Sequence, residues 1–185
     1  MASMIVNTQT NGRSLWSLIL RTLLLCSVVV TASACEEPVD EDRFRMKFNN
    51  VAFDLEIANT FDTRMKGLGD REEIEPDGGM VFIFPAAEKE VQHFVMRDCK
   101  TDIDILFLDD GGRIVAWHEM KMEEPKRDGE SDVAYESRLK RYSSKFPVRI
   151  AVELAPGKLQ ELRDGGLRKG QKVECDLDAL KAMAK

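Results

Sequence analysis

An α+β fold, mainly antiparallel and either strongly curled or closed into a small barrel, is what this sequence predicts. Three observations carry that expectation. Phe44, Met46 and Phe48 alternate with charged residues before Asn49-Asn50, and Val51, Phe53, Leu55 and Ile57 alternate after it, the pattern of a hairpin with one apolar face. Four further apolar runs, MVFIF, IDILFLD, RIVAWHEM and VRIAVEL, are short and bounded by Asp, Gly or Pro, as strands are. The helical patterns are brief and fall between or after these runs.

Beyond the hairpin, Asn59 to Asp62 offers N-caps for a short helix in TFDTRMKGLGD, stopped by Gly67 or Gly69. PDGG turns the chain into the strand Met80 to Phe84, which Pro85 ends. IDILFLD and RIVAWHEM form a second antiparallel pair across Asp110-Gly111-Gly112. From Glu123 to Lys145 the chain is polar and predicts a surface excursion, with a helix from Val133 to Arg141 capped by Asp132. Strand character returns at Val148 to Leu154, and Pro156-Gly157 precedes a helix in KLQELRDGG. LRKGQKVEC reads as a turn and a last strand, and DLDALKAMAK as a frayed terminal helix. One domain over residues 43–175, with 176–185 as its tail or helix, fits this length.

Residues 1–34 read as an export signal: Arg13 and Arg21 lead, TLLLCSVVV is apolar, and Ala32-Ser33-Ala34 precedes Cys35. That apolar stretch is well short of the roughly 20 residues a membrane-spanning helix needs. Cut after Ala34, the chain would begin with Cys35, and two readings meet at that bond: an ordinary A-x-A cleavage site and a bacterial lipobox. Cysteine at the first mature position favours lipidation of Cys35 and an exported protein held at a membrane of the bacterial cell envelope. The acidic segment 35–42 would act as a tether, since it has little to bury. Loss of the leader removes two arginines and no acid, taking the formal charge from −6 to −8. Nucleic acid is therefore not an expected partner.

Cys26 leaves with the leader, which leaves Cys99 and Cys175 either as a disulfide closing a long loop, as export permits, or as two buried thiols. No C-x-x-C pair points to redox chemistry.

Five blocks in order, RMKGLGDRE, GGMVFIFP, FVMRD, DILFLD and VRIAVELAPG, resemble the domain of unknown function 192 family, from about Phe44 to Val173. Where the family typically reads Phe-Trp-Met-Lys-Asn-Thr, this chain has Phe94-Val95-Met96-Arg97-Asp98-Cys99. The resemblance implies a compact, largely β fold and frequent export. It implies no activity.

The run IDILFLD is apolar on both parities, so the strand is expected to be covered on both sides, with Asp104 opening one of those faces. A carboxylate there needs a partner. Arg97, Arg149 and Arg71 are the candidates, because a guanidinium binds a carboxylate through two parallel bonds. Two readings stay open: an internal ion pair that fixes strand register, or a concave site in which surplus arginine binds a small anionic or carboxylate ligand. His93 and His118, with Cys99 or Asp98, lack helical metal spacing, and neither a metal nor a cofactor is expected. G-x-S-x-G, G-x-x-x-x-G-K and H-E-x-x-H are absent. The function expected is an envelope-tethered accessory or small-ligand-binding module. The alternatives are a hydrolase or transferase using a carboxylate and arginine cleft, with Asp102 and Asp104 as the acid pair, and a protein-interaction domain using Tyr135 and Tyr142.

Overall fold

Alternation in the first sixteen residues of the domain builds the edge of a sheet. The structure, a computed structural model, describes residues 42–185. The expected export signal, Cys35 and the tether as far as Glu41 lie outside the described residues. Strand β1 (Arg43–Phe48) turns into β2 (Val51–Ala58) through Asn49 at a φ of 55°, a conformation asparagine tolerates, and Phe48 pairs with Val51. Helix α1 (Phe61–Lys66) then crosses over, so that β3 (Gly79–Ile83) lies parallel to β2. Thr60, one of the N-cap candidates in the sequence, caps α1 in a reciprocal box with Thr63.

A single 3₁₀ turn at Ala86–Glu88 leads to β4 (Glu90–Phe94), followed by β5 (Ile103–Leu108) and β6 (Ile114–Met120). Helix α2 (Asp132–Arg138) precedes β7 (Tyr142–Val148) and β8 (Ile150–Leu154), and the chain continues into α3 (Lys158–Asp164) and α4 (Leu177–Ala182). Six strands form the main sheet in the order β1-β2-β3-β8-β5-β6, antiparallel except for β2 with β3, and β4 pairs with β7 apart from it. The α+β, mainly antiparallel expectation holds, but the sheet is open, not a barrel. Its expected closing strand makes only single bridges, Lys172 to Arg113 and Glu174 to Lys47, touching both ends of the sheet without a continuous ladder.

Two apolar layers sandwich the sheet. On one face Phe48, Leu55, Val152 and Leu106 pack under α3 and α4 through Leu159, Leu162 and Leu180. On the other, Phe82, Ile105 and Phe107 pack under Leu68, Met96, Tyr142 and Val148. Strand β5 is buried along its whole length for this reason. The terminal helix is docked, with Leu180 fully buried and Asn59 Nδ2 donating to the Met183 carbonyl at 2.9 Å.

The polar excursion is more folded than its composition suggests. Ser131, not Asp132, caps α2 by accepting from the Ala134 N–H, the helix ends at Arg138, and residues from Tyr142 onward belong to β7. Tyr135 and Tyr142, the residues expected to meet a protein partner, are both buried. Tyr135 donates to the Asp98 carboxylate at 3.2 Å, and the Tyr142 hydroxyl accepts from the Lys121 N–H at 3.1 Å. Their rings are used inward. Cys99 and Cys175 are free thiols that pack against opposite faces of the sheet, which is why no bond joins them.

Candidate functional site

Strand β8 is central, flanked by β3 and β5, and all five of its residues are buried. Period-two alternation sends Ile150, Val152 and Leu154 into the layer beneath α3, and Ala151 and Glu153 into the opposite one. Glu153 thus stands in mid-sheet between Met80 of β3 and Ile105 of β5, only 5% exposed. Above it the chain leaves α1 at Gly67, with a φ of 52°. A Cβ at this position would lie 3.3 Å from the Phe82 ring and 3.5 Å from Glu153 Oε2, so glycine supplies both the turn and the clearance over the carboxyl. The next residue, Leu68, presents its backbone N–H toward the Glu153 carboxylate and favours its ionised form. Oε2 has no partner among the described residues.

Glu153 forms part of the wall of a cleft of about 370 Å³ between α1 and β4. Phe82, Phe84 and Phe94 are part of its apolar surface, the rings of Phe82 and Phe94 meeting edge to face with centroids 5.0 Å apart. Arg64 lies over the Phe84 ring at 5.3 Å and is fully engaged, donating to the carbonyls of Asn59 and Ile83 and to Glu88 at 3.0–3.1 Å. Burial pushes the Glu153 carboxyl up to about 7, against the Leu68 N–H and the more distant Arg71, which both favour the ionised form. Cys99 also lines the cleft, and burial together with the nearby Glu153 charge pushes its thiol up to about 12. Such a thiol stays protonated at neutral pH and is a poor nucleophile.

The four residues expected to form the site do not gather around one hollow. Asp104 lies on the opposite face of the sheet from Glu153, paired with Leu154 across the strands, and its partner is backbone, not arginine. Its Oδ2 accepts from the Leu159 N–H at 2.8 Å. That bond serves the first turn of α3, whose N-cap Gly157 has no side chain to do so. Burial raises the Asp104 pKa, and this N–H opposes the rise. Arg71 forks onto Glu56 at 2.5 and 2.7 Å, holding that carboxylate below its usual range. Arg97 likewise forks onto Glu136 of α2 and lowers its pKa. Arg149 Nε donates to the Phe84 carbonyl at 3.0 Å. Only Arg97 is part of the cleft wall, with Arg71 in electrostatic reach of Glu153.

Glu153 is the residue that the sequence reading missed. A signal for it was present, since an acid in an apolar run raises the same question in VRIAVEL as in IDILFLD. What the sequence lacked was the pairing order that brings a glycine turn over the acid of β8. His118 Nε2 meets the Ser143 carbonyl at 2.8 Å, and among the described residues no three His, Cys, Asp or Glu side chains are grouped to hold a metal.

The fold and site together define a small, open-sheet α+β domain with an acid-floored aromatic cleft. The chain belongs to the DUF192 family, described as an uncharacterized ACR, which matches residues 44–175. Among solved structures it is similar to a proposed transcription regulator from Sinorhizobium meliloti 1021, 25% identical, with 73% of this chain and 93% of that one covered at a TM-score of 0.56. It is also similar to a protein of unknown function from Novosphingobium aromaticivorans DSM 12444, 21% identical, covering 74% and 89% at a TM-score of 0.56; at that identity the likeness concerns the fold alone. No curated protein matches.

Proposed function

We propose that this domain is a small-ligand-binding module of the cell envelope and that its ligand enters the cleft over Glu153. The supporting observation is the buried Glu153 carboxyl, which lines the cleft and whose Oε2 has no partner among the described residues. Leaving such an atom unsatisfied costs about 1–3 kcal/mol, and a ligand group that bonds to it recovers that cost on binding. Three phenylalanine rings beside it favour a ligand with an apolar body and one polar head. Nucleic acid suits a chain of formal charge −6 poorly, because phosphate contact needs a basic face.

The test is a fragment screen by amide NMR on the purified protein, using small carboxylates and other anions, amines and alcohols. Saturable shifts centred on Gly67, Leu68 and Arg97 are expected. Shifts confined to other surfaces, or none, would dispose of the site.

Attachment to the envelope rests on the apolar leader and on Ala32-Ser33-Ala34-Cys35. Expressed in a bacterium, the chain is expected to partition into the detergent phase, and Cys35→Ser to move it into the aqueous phase. Equal partitioning of the two proteins would rule out the lipid.

A further inference from the structure

Resting on the reading of the cleft as a ligand site, we propose that it selects an organic ammonium group, whose N–H donors meet Glu153 Oε2 while its carbon chain lies against Phe82, Phe84 and Phe94.

The cleft carries an acid whose charge is not compensated. Of the guanidinium groups near the cleft, Arg64 is committed to Glu88 and to main-chain carbonyls, Arg97 to Glu136 and Arg71 to Glu56. Lys66 and Glu90, both exposed and of opposite sign, stand at the mouth and leave no net preference there. In the wall, by contrast, the Glu153 carboxylate has the Leu68 N–H to favour its charge and no cation in contact among the described residues. The other titratable groups around it are Arg71, already paired, the Cys99 thiol, which stays neutral, and the exposed His93 of β4 on the cleft wall. The guanidinium groups around the cleft are therefore satisfied and its buried acid is not. An ammonium head supplies both what Oε2 lacks and the charge that a desolvated carboxylate requires. Aromatic faces add attraction for the same head, whereas a carboxylate ligand would set two acids against each other.

Proton linkage gives the test its sign. An ammonium requires ionised Glu153, and the group titrates at about 7, so affinity must fall as the pH drops through that value. Hexylammonium stays charged throughout, as a lysine does, with a pKa of about 10.4. In phosphate buffer at pH 8, hexylammonium is expected to shift the amides of Gly67, Leu68 and Glu153. Hexan-1-ol and hexanoate should bind at least tenfold more weakly. Between pH 8 and 5.5 the hexylammonium affinity should drop roughly 30-fold, following ionisation of a group near 7. Glu153→Gln, checked for an unchanged amide spectrum elsewhere, should lose both the binding and its pH dependence; should that variant not fold, the wild-type pH series decides alone. If hexanoate or hexanol binds in the cleft as well as the amine, or the amine binds more tightly at pH 5.5, the ammonium assignment is overturned and the ligand site stands. If none of the three binds while other fragments do, the assignment also falls. Silence from the whole fragment screen removes site and assignment together.

Discussion

At pH 8 the Glu153→Gln protein is expected to be more stable than the wild type by roughly 3 kcal/mol, a gap that closes toward pH 4.5. The sign follows from where the proton resides. In the folded chain burial lifts the carboxyl from 4.5 to about 7, while the unfolded chain titrates near its ordinary value. Below the lower value both states are protonated and the side chain costs nothing electrostatically. As the pH rises, the unfolded state releases its proton first, and folded stability declines until the buried group itself ionises near 7. Each pH step between the two values costs about 1.4 kcal/mol, which yields the figure above. Glutamine keeps the shape and never ionises. Asp104, also raised by burial, titrates alike in both proteins and cancels in the comparison. Urea titrations of both proteins at several pH values measure the difference directly, and a gap that does not change with pH would show that Glu153 is not held in a desolvated state.

Gly79→Ala is expected to be more damaging still, by about 4 kcal/mol or more. Gly79 opens β3 at a φ of 145° and pairs with Leu154, and a Cβ there would fall 2.2 Å from the Glu153 carbonyl oxygen, with Leu55 and Leu154 side chains at 3.1 and 3.2 Å. Because the clash is with main chain, no rotamer relieves it, and β3 must part from β8. Gly129 is the control. Its φ of 75° is also unfavourable to alanine, but nothing lies within 4 Å of the added carbon, so its replacement isolates the backbone penalty of about 1–2 kcal/mol. Thermal and urea unfolding of the two variants separates these terms. Equal losses would mean that the Glu153 carbonyl does not crowd Gly79.

Much of the fold was legible because its signals are local. The β1–β2 hairpin announced itself through alternation about Asn49-Asn50, and α1 and α3 through Thr60 and Gly157 at their starts. Where the reading fell short, the missing information was long-range. Ser143 and Tyr142 look like part of a polar loop until β4 is there to pair with them. Residues 170–174 have the pattern of a strand, but their bonds are divided between two distant edges. The buried acid of β5 was identified from its apolar surroundings, yet its partner could not be. A backbone N–H of α3 leaves no mark in composition, whereas arginines are conspicuous. The same parity argument that exposed Asp104 applied equally to Glu153, and only the strand order distinguishes the acid that caps a helix from the one that floors a cleft.

Neighbouring strands β5 and β8 each carry one buried carboxyl, and these point to opposite sides of the sheet. That arrangement makes misalignment during folding expensive. Sliding β8 by a single residue would invert its side chains, bringing Glu153 in beside Asp104 so that two acids compete for one helix end while Leu154 and Val152 turn into the aromatic layer. Correct threading of the central pair is thus enforced by two charges that tolerate no exchange of places.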